Sequence, residues 1–232
     1  FLGSNVAEVL MDAGHDVVVL TRATPAMEVP WPYTVLDTSD QAAVEKALEG
    51  ADALVHMAIA NDFQNLDAQA AYKAYPGLTQ AVTRAAMAVG AKPIYISSDW
   101  VMDGTSHKVA ESDYGRPINT YGYLKALGEQ VIRDLAPETG AICRIGGVMG
   151  SHRLLADMPR TQDVGFGYFV ASIVDALRNG QPYTVFEGEG VNLVATPSLA
   201  SEVAATVNRI ITRKATGCFH AVADDAIHRK DL

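Results

Sequence analysis

The spacing of apolar positions changes in a regular order along the chain. Apolar residues follow helical spacing up to Gly14, and the apolar run at 17–20 then indicates a strand. The same succession of helix and strand continues to residue 145. The predicted helices are 41–50, 67–89 and the segment TYGYLKALGEQVIRDL, and the predicted strands are 51–58, 93–98 and 141–145. This alternation predicts an α/β fold, doubly wound, with a parallel sheet that helices cover on both faces.

The pattern loosens after Gly150. The elements expected there are a helix at 165–178, a strand at 183–187, a helix at 199–211 and a strand at 218–222. We interpret residues 149–232 as a smaller, partial lobe on the substrate side of a cofactor domain formed by residues 1–148. Whether the lobe returns a strand to the main sheet stays open.

Both ends of the sequence look incomplete. A parallel α/β sheet needs a strand before its first helix, and the sequence opens directly on a helical pattern. The last residues, HRKDL, follow no obvious terminal element. We therefore expect the chain to be clipped at both ends, with the first strand of the sheet missing.

Composition restricts the class of protein. The 232 residues are 49% hydrophobic, which suffices for a sizeable core, and the formal net charge of −9 disfavours nucleic acid as a partner. No apolar run approaches the roughly 20 residues that span a bilayer, and the histidines lack metal-ligand spacing, so neither a membrane nor a metal is expected. Cys143 and Cys218 lie far apart in apolar stretches, as expected for reduced thiols in a cytoplasmic protein.

The ends of the predicted strands are candidates for a binding site, because ligands of parallel sheets bind beyond the carboxyl ends of strands. These ends are Thr21-Arg22, Met57-Ala58, Ser97-Ser98-Asp99 and Arg144-Ile145. His56 lies inside a predicted strand and is interpreted as a core residue rather than as a ligand.

Ser98, Tyr121 and Lys125 carry the strongest chemical signal. Tyr121 and Lys125 are four residues apart in a predicted helix, so their side chains share one face, one turn apart. Ser98 ends the preceding strand and can face the same cleft. A phenol has a pKa of about 10, and a nearby ammonium lowers it by stabilising the phenolate. We therefore predict a proton-transfer unit, against the alternative of a solvated helix face.

These motifs resemble the extended branch of the short-chain dehydrogenase/reductase superfamily. FLG is similar to the end of that branch's glycine-rich fingerprint, and GHDVVVLTR, DALVHMA, SSD and YGYLK follow in the family's order. SSDWVMDG and ESDYGRPINTYGYLKALGE are most similar to dTDP-4-dehydrorhamnose reductases. The resemblance implies a Rossmann-type domain and reduction of a nucleotide-activated 4-keto sugar. It also implies that Ser98 replaces a catalytic Thr, Tyr121 protonates the new alkoxide and Lys125 holds the nicotinamide ribose.

The expected cofactor is NADP, with NAD as the alternative. The expected contacts are Phe1, Leu2, Gly3, Arg22, Asp37, Thr38, Met57, Ala58, Ser97, Tyr121, Lys125 and Arg144. In this fold an Arg after the second strand, counted with the missing first strand, can accommodate the 2′-phosphate of NADP. Arg22 holds that place and favours NADP, with a solvated surface charge as the alternative. Asp37 either meets the adenine, as the resemblance implies, or pairs with Ser39. Arg144 either reaches the cofactor or forms a structural ion pair.

The substrate side departs from the family pattern. The expected contacts there are Asp99, Trp100, Val101, Asn119 and Gly147. Tyr75 stands where the superfamily's helix usually has an Asn that helps a proton relay, and Gly147 stands at the Trp that contacts the sugar. Trp100 and Met102 replace Tyr and Phe beside Asp99. We therefore expect a less efficient relay and a reshaped sugar pocket.

Three functions stay open. The first is an NADP-dependent reductase of a nucleotide-activated 4-keto sugar. The second is an epimerase or dehydratase on a nucleotide sugar that recycles its bound cofactor. The third is a non-catalytic NADP-binding regulatory subunit, an interpretation to which Tyr75 and Gly147 give weight. The expected partner is a small nucleotide-sugar substrate, and a homodimer stays open.

Overall fold

The computed structural model describes residues 1–25, 27–59, 66–151, 153, 169–185, 187–188, 193–228 and 230–231. The helices are α1 (Leu2–Asp12), α2 (Gln41–Ala47), α3 (Ala68–Tyr72), α4 (Leu78–Ala88), α5 (Thr120–Leu135), α6 (Phe169–Arg178) and α7 (Ala200–Thr212). The strands are β1 (Val19–Thr21), β2 (Tyr33–Val35), β3 (Ala53–His56), β4 (Lys92–Ser98), β5 (Ala141–Ile145), β6 (Val148–Met149), β7 (Val194–Ala195), β8 (Ser198–Leu199), β9 (Gly217–Ala221) and β10 (Ile227–His228).

Four strands form the main sheet in the order β3-β4-β5-β9, and each neighbouring pair is parallel. β1 and β2 form a second parallel pair. The predicted α/β fold with a parallel sheet is thereby confirmed. β9 comes from the C-terminal part of the chain and pairs with β5, so that part does return a strand to the main sheet.

Side chains of β4 and β5 alternate between two layers of helices. The core on the side of α1 and α7 includes Val6, Leu10, Ile94, Ile96, Cys143, Val203 and Val207. On the opposite side, Tyr95 and Ile142 pack with Ile132 of α5. Ser97 and Arg144 lie on the same face of the sheet as Tyr95 and Ile142, so their side chains turn toward α5.

The helix predicted over 67–89 is interrupted in its middle. α3 ends at Tyr72, a π segment occupies Lys73–Gly77, and α4 begins at Leu78. Pro76 explains the interruption, because its nitrogen has no hydrogen to donate and its ring would press on the carbonyl one turn earlier. The wider π turn relieves that contact. Tyr75, which lies in this segment, is only 3% exposed.

The C-terminal predictions are confirmed in part. α7 and β9 match the predicted elements 199–211 and 218–222 within one residue. α6 covers the described part of the predicted helix 165–178, and 165–168 lie outside the described residues. The predicted strand at 183–187 is wrong for 183–185, which form no strand. The short strands of this region pair elsewhere, β7 with β10 and β6 with β8.

Candidate functional site

Ser98 is the last residue of β4 and lies at the carboxyl edge of the main sheet. Its hydroxyl accepts a hydrogen bond from the Trp100 N–H at 3.2 Å and so caps a short 3-10 turn, Asp99–Val101. The same hydroxyl donates its proton to the Asp99 carboxylate at 3.1 Å. Because the residue is buried and its hydroxyl is bonded on both sides, its orientation is restricted.

Tyr121 lies in the first turn of α5. Asn119 caps this helix, since its Oδ1 accepts a hydrogen bond from the Gly122 N–H at 2.8 Å. Gly122 lets α5 lie directly on the 3-10 turn, because a Cβ there would overlap the Trp100 carbonyl oxygen. The Tyr121 hydroxyl lies close enough to the Ser98 side chain for the serine to lower its pKa. The structure thus brings these two predicted residues together.

The pKa of Tyr121 shifts in the direction opposite to the one that its predicted pairing with Lys125 implies. Burial raises the pKa of Tyr121 above its ordinary value, the acidic groups of Tyr75 and Asp99 raise it further, and the hydrogen bond with Ser98 lowers it. The prediction that a lysine charge makes this phenol acidic is therefore wrong for the protein alone. In this state Tyr121 is a neutral hydroxyl that can donate a proton.

The Lys125 ammonium contacts two residues of β4. Its Nζ donates a hydrogen bond to the Ile96 carbonyl oxygen at 2.5 Å and lies 4.2 Å from the centroid of the Tyr95 ring. Burial lowers the pKa of Lys125 to about 7, and the charge of Glu129 acts in the opposite direction. The charged and neutral forms of the amine are therefore close in free energy near neutral pH.

Two aromatic rings contact Tyr121 edge-on. The Tyr75 ring lies 6.3 Å away, centroid to centroid, at an interplanar angle of 84°. The Trp100 ring lies 5.4 Å away at 86°. These residues belong to one apolar cluster with Leu124 and Ala71. Tyr75 therefore approaches the site through its ring, whereas the family's Asn would bring a polar amide.

Ser97 and Arg144 form a buried network with Glu129. Arg144 binds the carboxylate with two nitrogens, Nε to Oε1 and Nη2 to Oε2, both at 2.8 Å. The Ser97 hydroxyl donates to Oε1 at 2.6 Å. Arg144 also donates to the Asp113 carbonyl oxygen at 2.9 Å and lies 3.3 Å from His220 Nε2. Of the two predicted alternatives for Arg144, the structural ion pair is present, and the cofactor contacts expected of Ser97 and Arg144 stay a prediction.

The N-terminus of α1 lies beside the end of β3. A Cβ built on Gly3 would be 3.9 Å from the Met57 Cε atom. Phe1 and Leu2 are half-buried, and Ala58 is exposed. Residues 1–3 and the pair Met57-Ala58 are predicted from separate motifs, and the structure places them at the same edge of the fold.

Arg22 and Asp37 follow the ends of β1 and β2, and both are exposed. The Ser39 N–H and hydroxyl donate to Asp37 Oδ1 at 2.9 and 2.7 Å, and these bonds hold the pKa of the Asp37 carboxyl below its usual value, with a smaller contribution from the Arg22 charge. Of the two predicted alternatives for Asp37, the pairing with Ser39 is present. Thr38, between them, is half-buried.

The predicted substrate residues differ in their surroundings. Asp99 and Trp100 are half-buried beside Ser98, whereas Gly147 is exposed and has no atom within 4 Å of the place where a Cβ would lie. Val101 is fully buried, and the substrate contact expected of it stays a prediction. Asn119 is exposed and uses its side-chain oxygen for the helix cap, which leaves its contact with a substrate a prediction.

Sequence reasoning missed Glu129 and Tyr95. Glu129 follows Lys125 by four residues, so helical spacing placed it on the same face, and that was the available signal. Tyr95 gave no signal beyond its place in a strand. His56 is a core residue, as predicted: its Nε2 lies 3.1 Å from Thr79 Oγ1, and burial lowers its pKa to about 3.

Within the described residues, no group of three or more His, Cys, Asp and Glu side chains is arranged to hold a metal ion. In the same part of the chain, each helix is too short or too polar to cross a membrane.

Curated relatives match parts of this chain. A probable low-salt glycan biosynthesis reductase of Haloferax volcanii is 32% identical over 140 residues, 60% of this chain and 42% of that protein. A dTDP-4-keto-6-deoxy-D-glucose reductase of Streptomyces niveus is 45% identical over 60 residues, 25% of this chain and 21% of that protein. Methionine adenosyltransferase 2 subunit beta of Bos taurus is 45% identical over 51 residues, 22% and 15% of the two chains. The matches span less than half of each relative.

Solved structures share the fold. A hypothetical dTDP-4-dehydrorhamnose reductase from Sulfolobus tokodaii superimposes with a TM-score of 0.77 at 23% identity, over 99% of this chain and 75% of that one. MoeE5 in complex with UDP-glucuronic acid and NAD superimposes with a TM-score of 0.81 at 18% identity, over 100% and 76%. The family model of the RmlD substrate binding domain matches residues 1–232. The resemblance inferred from the motifs is thus confirmed, and the chain belongs to the RmlD substrate binding domain family.

Proposed function

We propose that the protein containing this chain is an NADPH-dependent reductase of a nucleotide-activated 4-keto sugar, similar to dTDP-4-dehydrorhamnose reductases. The observation that carries the proposal is the contact between Ser98 and Tyr121 at the carboxyl edge of the sheet, where burial keeps the phenol protonated. A carbonyl that gains a hydride needs a proton donor next to its oxygen. The similarity to curated reductases favours a reductase over an epimerase or dehydratase.

The roles of the three residues follow from their chemistry. Bound NADPH supplies the hydride to the 4-keto carbon. Tyr121 transfers its hydroxyl proton to the oxygen that becomes an alkoxide. Ser98, held by Asp99 and Trp100, positions that oxygen next to the phenol. Lys125 would hold the nicotinamide ribose of a bound cofactor, the role that the resemblance implies, and its place one turn from Tyr121 permits this.

The residues fit a nicotinamide dinucleotide at two points. Gly3, which has no Cβ, opens α1 beside the end of β3, where a helix N-terminus can receive a pyrophosphate. The exposed Arg22 after β1 offers a guanidinium to a 2′-phosphate, which favours NADP over NAD. MoeE5 supports the cofactor class, because that protein has the same fold and was solved with NAD.

The test is the Tyr121→Phe variant of the full-length protein. We expect kcat for NADPH oxidation with a dTDP-4-keto-6-deoxy sugar to fall by about 10²-fold or more, the range of a lost general acid. Tyr123→Phe is the matched control, because Tyr123 lies in the same helix and is exposed. Unchanged turnover in Tyr121→Phe would remove the assigned role. Product formation without net loss of NADPH absorbance would favour the epimerase or dehydratase.

A second candidate is a regulatory subunit without turnover. The similarity to methionine adenosyltransferase 2 subunit beta favours it, together with Tyr75 and Gly147, which depart from the reductase pattern. This candidate predicts that the protein binds NADPH, reduces no sugar nucleotide, and changes the rate of a purified methionine adenosyltransferase when mixed with it. Reductase turnover that Tyr121→Phe abolishes, with no effect on the transferase, would reject it.

A further inference from the structure

The Tyr121 ring is contacted from two sides by elements that do not belong to its own helix. Tyr75 comes from the π segment and Trp100 from the 3-10 turn after β4. Both pairs are near-perpendicular, an arrangement in which the positive edge of one ring meets the negative face of the other. Rotation of the Tyr121 ring about its bonds would break both contacts.

Local sequence explains why both rings reach this place. Pro76 opens the helix into a π turn beside the buried Tyr75. Gly122 lets α5 lie against the Trp100 backbone, which brings the indole next to Tyr121. Tyr75 stands where the superfamily usually has an Asn, whereas Trp100 replaces one aromatic residue of the reductase pattern, a Tyr, with another.

We propose that Tyr75 and Trp100 form an aromatic clamp that fixes the plane of the Tyr121 ring and keeps its hydroxyl on Ser98. The clamp orients the proton donor by packing. A polar relay would orient it by hydrogen bonds. Tyr75 and Trp100 are then positioning residues, because they act through Tyr121. This inference rests on the proposed function, in which Tyr121 is the acid.

A positioning role has a kinetic signature. Proton transfer requires the phenol to lie in line with the substrate oxygen in the transition state, so a loosened ring lowers kcat and leaves substrate binding nearly unchanged. We expect Tyr75→Ala to lower kcat by about 10- to 100-fold, the cost of a small misplacement, and to change KM by less than about twofold. Tyr75→Phe keeps the ring and should stay within about threefold of the parent kcat.

Tyr72→Ala is the control for substitution in the same helical segment, since Tyr72 precedes the π segment and is 54% exposed. Its kcat should equal that of the parent. Circular dichroism and thermal melting confirm that each variant is folded. An unchanged kcat in Tyr75→Ala overturns the proposal, and so does an equal loss in Tyr75→Phe and Tyr75→Ala, because that result would assign the effect to the hydroxyl.

A second measurement does not depend on turnover. The chain has two tryptophans, so Trp31→Phe leaves Trp100 as the sole indole, and its fluorescence anisotropy decay reports its local mobility. In this background Tyr121→Ala gives the reference for an unclamped indole. Tyr75→Ala should add a fast component toward that reference, and Tyr72→Ala should add none. An unchanged decay in Tyr75→Ala overturns the clamp even if the protein is a reductase. A faster decay in a protein without reductase activity supports the clamp and rejects only the proposed function.

Discussion

Lys125 carries its charge at a cost in free energy. The Ile96 carbonyl oxygen, the Tyr95 ring and the Glu129 carboxylate all favour the ammonium form. Burial outweighs them, because the pKa falls from the ordinary 10.5 to about 7. Protonation of this amine therefore destabilises the folded state relative to the unfolded chain.

The sign of the pH dependence follows from that shift. Between pH 7 and 10.5 the unfolded chain keeps the Lys125 proton and the folded chain releases it, so the free energy of unfolding rises with pH in this window. Lys125→Met should remove this rise. We expect the parent to gain about 3 kcal/mol more than the variant from pH 7 to 10, measured by urea denaturation. Lys46→Met, at an exposed lysine of α2, should keep the parent slope. Parallel slopes for the parent and Lys125→Met would contradict this prediction.

At the scale of single residues, the sequence located side chains better than it oriented them. Ser98 and Tyr121 could be predicted to meet because a strand end and a helix start are fixed by local pattern. The direction of the Lys125 ammonium was missed, since the Ile96 carbonyl that binds it belongs to a strand 29 residues earlier. The sequence could not decide between the two roles of Arg144, because its ion-pair partner Glu129 lies in another element, 15 residues earlier.

Two glycines set the distance between α5 and the strand that ends in Ser98. A Cβ on Gly122 would overlap the Trp100 carbonyl oxygen, and a Cβ on Gly128 would overlap the Tyr95 hydroxyl. The buried network of Glu129, Ser97 and Arg144 fastens the same helix to β4 and β5. The face of α5 that carries Tyr121 is therefore held at two glycine contacts and one ion pair.

Gly122→Ala should force α5 away from the 3-10 turn. We expect a loss of about 1–3 kcal/mol in the free energy of unfolding, the usual cost of an added methyl in a packed site, measured by urea denaturation. Gly147→Ala is the stability control, because no atom lies within 4 Å of its Cβ position. An equal effect of the two substitutions would show that the helix can shift without cost.

Among the elements, those with strong periodicity and a cap were predicted well. α5 begins one residue after Asn119, as the sequence indicated, and β4 matches its prediction within one residue at its start. The break at Lys73–Gly77 was missed, because the Ala-rich pattern continues through Pro76. The strand expected at 183–187 failed because apolar alternation cannot show whether a pairing partner is present.

The charge of this chain would oppose the approach of an anionic cofactor at long range. The net charge of −9 opposes the approach of a dinucleotide phosphate, so binding must rely on local positive groups. The exposed Arg22 is such a group at the edge formed by β1 and β2. Its contribution should be specific for the extra phosphate of NADPH.

Arg22→Ala tests this contribution in the full-length protein. A charged hydrogen bond to the 2′-phosphate is worth about 1.5–3 kcal/mol, so the KM for NADPH should rise about tenfold or more while that for NADH changes little. Arg178→Ala makes the same change in net charge at an exposed site on α6 and should leave both values unchanged. An equal rise for NADH and NADPH would count against NADP as the preferred cofactor.

The order of strands was beyond the reach of local pattern. Helix and strand alternation predicts a parallel sheet, but the pairing of β5 with β9 joins residues 76 positions apart, which local periodicity cannot decide. Long-range pairing depends on which faces are apolar in three dimensions, as where α7 covers the same core as α1. The division into 1–148 and 149–232 stays a prediction.

The position of β9 limits how this chain can be shortened. A fragment that ends at residue 148 would lose the neighbour of β5 and the helix that shields Val6 and Ile94. Its uncovered strand edge would offer unpaired amides to other chains, which promotes aggregation. Residues 217–221 therefore stabilise the sheet formed by the N-terminal part of the chain, and truncated forms should retain them.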